Sequence, residues 1–403
     1  MGEISTSEAW MTIIGLGEDG PDGLSPASLR ALTAAEIVMG PPRHLALLPQ
    51  LQAEQVEWPV PFADGIAILQ QFRGRRVVVL ASGNPFWFGA GSTIARSFDA
   101  GEWTVIPGPS TFAQAAGRLG WPIETTLCLG LHAAPMARLR PHLAPGIRAI
   151  VLLRDGAAVA GLARYLVEAG FGDSRLTVLE ALGGARERTI SATAATLPQE
   201  AFAHPVAVAL EVAGAGASLS RASGIDDGFF DSDGQITKRP IRALALSALG
   251  PRPHETLWDI GGGSGSISIE WLLADPTTEA ICIEPRADRA ARIRGNADRL
   301  GVDRLGVVEG SAPNSLDGLA APQAVFIGGG LSEDLLHDLC ARLAPGTRLV
   351  AHAVTLESAA LLSAWSARLG GALLRIELAE AAPLGAKRGW KPAYPVVQWR
   401  TQL

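Results

Sequence analysis

The sequence predicts an α/β protein in which helices cover both faces of parallel sheets. Short apolar runs alternate with Ala- and Leu-rich stretches of helical character along almost all of the 403 residues. Such runs are typical of strands that are buried on both faces. Hydrophobic residues make up 48% of the chain and charged residues 18%, which provides enough apolar material for more than one core and argues against long disorder.

In the first half, buried strands are predicted by four apolar runs, at 11–17, 76–82, 149–155 and 206–212. A helical stretch at 110–120 joins what we interpret as two α/β lobes. Residues 214–235 are rich in Gly, Ser and Asp and show little periodicity. We therefore predict a first domain over 1–213, a linker over 214–235 and a second domain over 236–403.

The second half continues as a regular βαβ series. A strand at 256–263 and a helix at 264–274 are followed by a strand at 279–285 and a helix at 286–300. Further strands are predicted at 305–310, 324–330 and 348–354.

Composition excludes several functional classes. The net charge of −6 leaves no overall basic surface for nucleic acid. No apolar run approaches the ~18 residues of a membrane span, and no basic segment precedes an apolar core at the N-terminus, so we expect neither a span nor a signal peptide. Cys128, Cys282 and Cys340 lack C-x-x-C spacing, which indicates a reducing, cytoplasmic compartment and no metal site.

The most specific motif is WDIGGGSGS in the second half, where an acid near the end of a strand is followed by glycines that open a helix. Glycines let the backbone approach a ligand closely, and amides at a helix start suit a carboxylate or phosphate. Glu284 ends the next strand, where it can accept hydrogen bonds from both ribose hydroxyls of a nucleoside. The candidate cofactor residues of this domain are Thr237, Asp259, Gly261, Gly262, Gly263, Ser264, Gly265, Glu284, Ser311 and Ala312.

The motif leaves three interpretations open: S-adenosylmethionine (SAM), a nicotinamide cofactor, or a glycine turn with a structural role only. The form D-x-G-x-G-x-G favours SAM, and the small residues Ser311 and Ala312 could frame an adenine. A basic group at 237–242 precedes the sheet, and cations at a helix start oppose the helix dipole unless an anion offsets them. That group is either a polyanion site or a solvated helix end.

Two further residues are candidates for proton transfer in the second domain. His352 follows the fifth strand of the series, and Glu270 lies inside an otherwise apolar helix. Each is either a catalytic group or a structural polar residue.

Three loops of the first half carry motifs of a known family. They are Gly15/Gly17, Ser82-Gly83-Asn84-Pro85 and Pro107-Gly108-Pro109-Ser110-Thr111. Here the sequence resembles the tetrapyrrole methylases, which implies two lobes with SAM between them and cofactor contacts from Gly17, Gly83, Ser110 and Thr111. Many family members have Gly-Pro-Gly-Asp-Pro after the first strand, whereas this chain has Gly17-Glu18-Asp19-Gly20-Pro21.

The second half resembles the decarboxylating precorrin methyltransferases, which have a class I, Rossmann-like SAM fold. The matching stretches include 233–249, 257–271 and 349–358. Together the resemblances imply a bifunctional enzyme of cobalamin biosynthesis with two SAM sites per chain. The first domain would methylate C5 of a precorrin, and the second would methylate C15 and decarboxylate the C12 acetate.

The resemblance also implies partners. A precorrin carries many carboxylates, for which basic side chains are natural ligands. The candidates are Lys238, Arg239, Arg242, Lys387, Arg388 and Lys391, with Arg43, Arg186 and Arg188 in the first domain. A homo-oligomer is expected. Three alternatives stay open: a methyltransferase for another small molecule or RNA that uses only the second domain, a SAM sensor without catalysis, and a nicotinamide-dependent oxidoreductase.

Overall fold

The computed structural model describes residues 9–48 and 51–403. The chain folds into two compact units. Unit 1 runs to Ala134 and resumes over Ala144–Ala217, whereas unit 2 contains Pro135–Leu143 and Ser218–Leu403. Both units are α/β, which confirms the predicted fold class.

The first lobe of unit 1 is a parallel five-stranded sheet in the order β3-β2-β4-β1-β5. Its elements are β1 (Met11–Leu16), α1 (Pro26–Ala34), β2 (Ile37–Gly40), α2 (Pro42–Ala46), β3 (Glu54–Glu57), α3 (Asp64–Gln70), β4 (Val77–Ser82), α4 (Gly91–Ser97) and β5 (Trp103–Ile106). Strands β1, β2 and β4 are buried along almost their whole length, as expected for strands covered by helices on both faces.

The second lobe has a mixed sheet in the order β6-β7-β10-β8-β9. Its elements are α5 (Thr111–Leu119), β6 (Leu127–Gly130), β7 (Arg148–Leu153), α6 (Ala157–Glu168), β8 (Arg175–Glu180), β9 (Arg188–Thr193) and β10 (Val206–Glu211). The prediction of parallel strands is confirmed for β6 and β7 but is wrong for the rest of this sheet, because β10 inserts antiparallel between β7 and β8, and β9 is antiparallel to β8. A buried apolar run does not reveal strand direction.

Unit 2 is built on a seven-stranded sheet in the order β13-β12-β11-β14-β15-β19-β16, and a separate hairpin pairs β17 with β18. Its elements are α7 (Arg239–Leu249), β11 (Thr256–Ile260), α8 (Ser266–Ala274), β12 (Glu279–Glu284), α9 (Ala287–Arg299), β13 (Gly306–Glu309), β14 (Ala324–Ile327), α10 (Glu333–Arg342), β15 (Arg348–Ala353), α11 (Leu356–Leu369), β16 (Ala372–Ile376), β17 (Ala379–Leu384), β18 (Lys387–Pro392) and β19 (Val396–Gln402). Strands β11 to β15 are parallel, and β19 is antiparallel to both neighbours. The order reverses between β11 and β14, which is the point at which Rossmann-like sheets bind ligands.

The stretch at 214–235, which the sequence suggests as a linker, packs largely with unit 2. The division between the units falls after Ala217, and Ile225 and Phe230 belong to the core of unit 2 at 2% and 7% exposure. These two buried side chains attach the stretch to the core of unit 2, which its high overall content of Gly, Ser and Asp did not suggest. The domain limits themselves stay a prediction.

A short segment from the middle of the chain also belongs to unit 2. Pro135–Leu143 contains a 3-10 helix, and the guanidinium of Arg138 in it binds Asp303 through two hydrogen bonds of 2.8 and 3.0 Å. The Arg140 guanidinium lies over the ring of Phe229. In the part of the chain that the structure describes, no helix is both long enough and apolar enough to span a bilayer.

Candidate active sites

Unit 2 has a cavity of about 470 Å³ at the carboxyl ends of its parallel strands. It lies at the reversal of strand order between β11 and β14, as expected for this topology. The sequence-predicted cofactor residues that line it are Thr237, Asp259, Gly261, Gly262, Gly263, Glu284, Ser311 and Ala312. The loop can run so close to its neighbour because Gly261 has φ +75° and a Cβ there would lie 2.6 Å from the Gly329 amide nitrogen.

Glu284 is the acid at the end of β12, and it is 2% exposed. Its Oε2 accepts a hydrogen bond of 2.9 Å from the Gly263 amide, and its Oε1 accepts one of 3.1 Å from the Arg286 amide. Each carboxylate oxygen has further lone pairs, so the ribose-binding role stays available. The same contacts show that Glu284 also holds the glycine loop in position.

Asp259, near the end of β11, also lines this cavity and is 1% exposed. Its Oδ2 accepts hydrogen bonds from the Ser268 hydroxyl at 2.6 Å and the Ser268 amide at 3.2 Å. Burial, opposed by these bonds and assisted by the charge of Glu284, raises the pKa of Asp259 to about 6. A nearby cation, such as the ammonium or sulfonium of SAM, would favour the charged form.

The raised pKa of Asp259 predicts a pH-dependent stability difference. Because its folded pKa of about 6 exceeds the ordinary aspartate value of 3.8, the ligand-free wild type should lose stability as pH rises from about 4 to about 6. We expect Asp259→Asn to be more stable than wild type above pH 6, by an amount on the order of 3 kcal/mol, and similar near pH 4. Urea unfolding between pH 4 and 8 measures this.

A matched control for that experiment is Asp275→Asn. Hydrogen bonds from Thr277 lower the pKa of Asp275, so this change should show no stabilisation above pH 6. A stability difference between wild type and Asp259→Asn that does not vary with pH would contradict the prediction.

Two predicted cofactor residues do not face the cavity. Ser264 is 2% exposed, and its carbonyl accepts a hydrogen bond from the Asn296 side chain at 2.9 Å. Gly265 is the N-cap of α8 and packs against Ile293 of α9. The direct cofactor contacts expected of both are corrected, because these two residues form the turn that leads into α8 and pack against α9.

Arg242 and Glu270 are also corrected, since they form a buried ion pair and are not ligand-binding or catalytic groups. Arg242 is 0% exposed, and its Nε lies 2.5 Å from Glu270 Oε1. The remaining guanidinium donors bind Asp227 and the carbonyls of Thr237 and Ile225, and the amides of Gly224 and Ile225 bind the Glu270 carboxylate. Neither side chain has a free direction toward the cavity.

This pair predicts a large loss of stability in Arg242→Met. The change leaves the Glu270 charge buried without its partner, which typically costs about 3–5 kcal/mol. We expect the midpoint of thermal unfolding to fall by roughly 10 °C. The exposed pair of Arg294 and Glu309 provides the control, because Arg294→Met should change the midpoint little. Equal midpoints for the two variants would contradict a stabilising role for the pair.

The remaining basic candidates of unit 2 differ in whether they line the cavity. Lys238 lines the cavity, and its Nζ is 3.8 Å from Asp227. Arg239 begins α7 and is 3.9 Å from Asp226. Lys387, Arg388 and Lys391 are exposed on the hairpin, and none of them is among the described residues that line the cavity.

His352 lines the cavity beside Phe326, whose ring it meets edge to face. Its Nε2 is 2.9 Å from Gln398 Oε1, which lies opposite it in the sheet. Burial lowers the pKa of His352, so the imidazole is neutral at physiological pH. A neutral imidazole at the cavity wall is compatible with either interpretation of this residue.

Unit 1 has its own cavity of about 310 Å³, between the strand ends of its two lobes. Gly17, Gly83 and Thr111 line it, as the sequence predicts for a cofactor site. Ser110 instead lines a neighbouring cavity of about 200 Å³ and caps α5, where its Oγ accepts a hydrogen bond from the Ala113 amide. The Ser110 side chain is thus a helix cap, and its contact with a cofactor stays a prediction.

The three family loops of unit 1 meet at Gly83. Its amide donates to the Leu16 carbonyl at 3.0 Å, and its carbonyl accepts from the Gly108 amide at 3.0 Å. Gly83 has φ +50°, and a Cβ there would lie 2.8 Å from the Pro109 carbonyl oxygen. Only glycine fits this backbone without strain.

Several residues that line the two cavities were not singled out from the sequence as cofactor contacts. In unit 1 they include Gln114, Arg154, Leu182 and His204, and in unit 2 Gln235, Arg289 and Tyr394. Arg154 had an available signal, because it directly follows the buried strand β7. Leu182 had a similar signal, since it lies two residues after β8. The others lie on helices or in irregular stretches that do not directly follow a parallel strand, where the rule about strand ends does not apply.

Among residues 9–48 and 51–403, no group of three or more His, Cys, Asp or Glu side chains is arranged to hold a metal ion.

Two family models match the chain: the precorrin methyltransferase domain over residues 228–403 and the tetrapyrrole (corrin/porphyrin) methylases over residues 11–198.

Known relatives agree with these matches. A precorrin-6Y C(5,15)-methyltransferase (decarboxylating) from Sinorhizobium sp. is 50% identical, with 99% of each chain covered. A Mycobacterium tuberculosis protein of the same name is 40% identical, covering 96% of this chain and 98% of its own. A cobalt-precorrin-6B C(15)-methyltransferase (decarboxylating) from Salmonella typhimurium is 33% identical over 40% of this chain and 85% of its own. The chain therefore belongs to the precorrin-6Y C5,15-methyltransferase (decarboxylating) family.

Proposed function

We propose that this chain methylates precorrin-6Y at C5 and C15 and removes the carboxyl group of the C12 acetate. One precorrin-6Y and two SAM would give one precorrin-8X, two S-adenosylhomocysteine and one CO₂. The observation that carries the proposal is that each unit has a cavity lined by glycine loops at the carboxyl ends of parallel strands. The full-length likeness to enzymes of this name supports it.

We assign C15 methylation and decarboxylation to unit 2, and C5 methylation to unit 1. A shorter relative named for the C15 and decarboxylating activities covers only 40% of this chain, which supports a division of labour between the units. SAM, when bound, supplies an electrophilic methyl group. The donor set of the unit 2 cavity fits it, because Glu284 can accept from the ribose, the glycines at 261–263 let a ligand lie close to the backbone, and Asp259 provides a negative charge for its cationic groups.

The protein residues act mainly by placement. A meso carbon of the macrocycle is itself the nucleophile, so the cavity needs to align that carbon with the methyl group and exclude water. Lys238, which lines the unit 2 cavity, would bind a substrate carboxylate, whereas Arg289 is already paired with Asp233 at 2.8 Å. The exposed basic residues Lys387, Arg388 and Lys391 would have to reach the substrate from outside the cavity.

Two lesser points stay proposals. Cys128, Cys282 and Cys340 are all unpaired, which agrees with a reducing cytoplasmic setting. Self-association into a homo-oligomer is expected from the family resemblance alone.

The test uses the full chain. Calorimetric titration with S-adenosylhomocysteine should give two sites per chain, and incubation with precorrin-6Y and methyl-labelled SAM should give a product with two labelled methyl groups and one carboxyl fewer. Binding at one site only, with methyl transfer to another small molecule or RNA, would contradict the proposal. Tight binding without transfer to any precorrin would indicate a sensor.

A further inference from the structure

The unit 1 cavity contains a charged cluster that the glycine loops do not explain. It is formed by Glu18, Arg43 and Arg186, together with the neighbouring pair His44 and Ser82. The Glu18 side chain is only 7% exposed and pairs with two guanidinium groups, that of Arg43 in very close contact and that of Arg186 at 3.2 Å. One carboxylate thus faces two cations, which leaves one positive charge without compensation.

Arg43 is held in a fixed orientation. Its Nη2 lies 2.8 Å from His44 Nε2 and 3.2 Å from Ser82 Oγ. His44 is 1% exposed, and burial together with the charge of Arg43 lowers its pKa to about 3. The imidazole is therefore neutral, and its Nε2 can accept a hydrogen bond from the guanidinium.

The described residues that line the cavity do not supply the missing negative charge. Glu18 is the only acid among the described residues that line this cavity, whereas Arg43 and Arg154 both line it. The Arg154 guanidinium is 2.9 Å from Asp155, so that pair is balanced. Burial and Arg43 lower the pKa of His204, which leaves that side chain neutral at physiological pH.

A partly buried guanidinium that shares one carboxylate with a second arginine can bind a further anion. Burial, assisted by the nearby charge of Arg186, lowers the pKa of Arg43 to about 10, which still leaves it charged at neutral pH. The Arg43 side chain is 28% exposed, so its remaining donors can reach a ligand in the cavity. The donors that the contacts with Glu18, His44 and Ser82 do not use, at Nε and Nη1, would bind a carboxylate through a charge-assisted hydrogen bond.

We propose that Arg43 anchors a carboxylate of the macrocyclic substrate in unit 1, and that Glu18 and His44 are positioning residues that hold its guanidinium. This inference rests on the proposed function, because it takes a polycarboxylate to be the ligand. It also explains a departure from the family pattern, since Glu18 occupies the loop in which many members carry Gly-Pro-Gly-Asp-Pro.

The experiment compares Arg43→Met and Arg43→Lys with wild type in C5 methylation of precorrin-6Y at saturating SAM. We expect Arg43→Met to raise KM for the macrocycle about 10- to 100-fold, the loss typical of a charge-assisted hydrogen-bonded contact, with a smaller change in kcat. Arg43→Lys keeps the charge without the planar fork and should be intermediate. Binding of S-adenosylhomocysteine and the reaction at C15 should be unchanged.

Arg30→Met is the matched control, because Arg30 is an exposed arginine of α1 in the same unit and lines neither cavity of unit 1. Glu18→Gln tests the positioning role. It keeps the size of the side chain but loosens Arg43, so it should raise KM about 3- to 10-fold, with the pH profile unchanged between pH 6 and 9.

Each result bears on the inference. An unchanged KM in Arg43→Met overturns it, and so does weaker binding of S-adenosylhomocysteine at an unchanged KM, since Arg43 would then hold the donor. If Arg43→Met fails to fold, a wild-type KM in Arg43→Lys and Glu18→Gln overturns it. If the wild-type chain leaves C5 unmethylated, the proposed function itself fails, which is a different outcome.

Discussion

Replacing Gly83 by valine should abolish C5 methylation and leave C15 methylation and decarboxylation intact. Gly83 has φ +50°, which a β-branched residue adopts only with strain of about 1–3 kcal/mol. The new Cβ would also lie 2.8 Å from the Pro109 carbonyl oxygen, so the loops that start at Gly83 and Pro107 must move apart. We expect the rate at C5 to fall more than about 100-fold, because small displacements disrupt aligned groups.

Mass spectrometry of the product measures this effect. The Gly83→Val enzyme should release a macrocycle with one labelled methyl group and one carboxyl fewer. Gly101→Val is the control, because a Cβ at Gly101 meets no atom within 4 Å and Gly101 does not line the cavity. If Gly83→Val forms the doubly methylated product at the wild-type rate, the assignment of C5 methylation to unit 1 is contradicted.

Replacing Glu284 by alanine should have the second large effect, on the cavity of unit 2. The change removes the carboxylate that is expected to accept from the ribose, and it frees the Gly263 amide from its 2.9 Å hydrogen bond. Hydrogen bonds to a charged group contribute about 1.5–3 kcal/mol, so the Kd of this site for S-adenosylhomocysteine should rise about 10- to 100-fold or more. Calorimetry of the full chain should then show one tight site instead of two.

The matched control for Glu284→Ala is Glu309→Ala, on the neighbouring strand β13. Glu309 is the register partner of Glu284 at the end of β13, but it is about half exposed and pairs with Arg294. Glu309→Ala should therefore keep both tight sites. If C15 methylation and decarboxylation both survive Glu284→Ala at limiting SAM, the assignment of this cavity is wrong.

The fold was predictable from the sequence where local pattern decides the structure. Buried strands such as β1, β4 and β11 appear as continuous apolar runs, and the loops that follow them carry the glycines that a close approach to ligand needs. The directions of β10 and β19 were not predictable in this way. They depend on which neighbours each strand pairs with, and an apolar run carries no such information.

The candidate site also combines features that the local sequence predicts with features that depend on distant contacts. Lys238 and Arg242 are four residues apart in one basic stretch, yet Lys238 lines the cavity and Arg242 is 0% exposed. Helical periodicity places Arg242 on the apolar face with Ala245, Leu246 and Leu249, but a spacing of four residues would put Lys238 on the same face. The two differ because Lys238 is the N-cap residue, just before the first turn of α7. The partner that makes its burial possible, Glu270, lies on another helix, and the sequence does not show that the two meet.

Because Pro135–Leu143 belongs to unit 2, the two units cannot be separated as fragments by one cut in the chain. A single cut in the chain after Ala217 yields a C-terminal piece in which Asp303 has lost the guanidinium of Arg138, and an N-terminal piece that carries the detached segment with its apolar Leu139 and Leu143. The two compact units are thus interleaved along the polypeptide, and a clean dissection requires three breaks in the backbone.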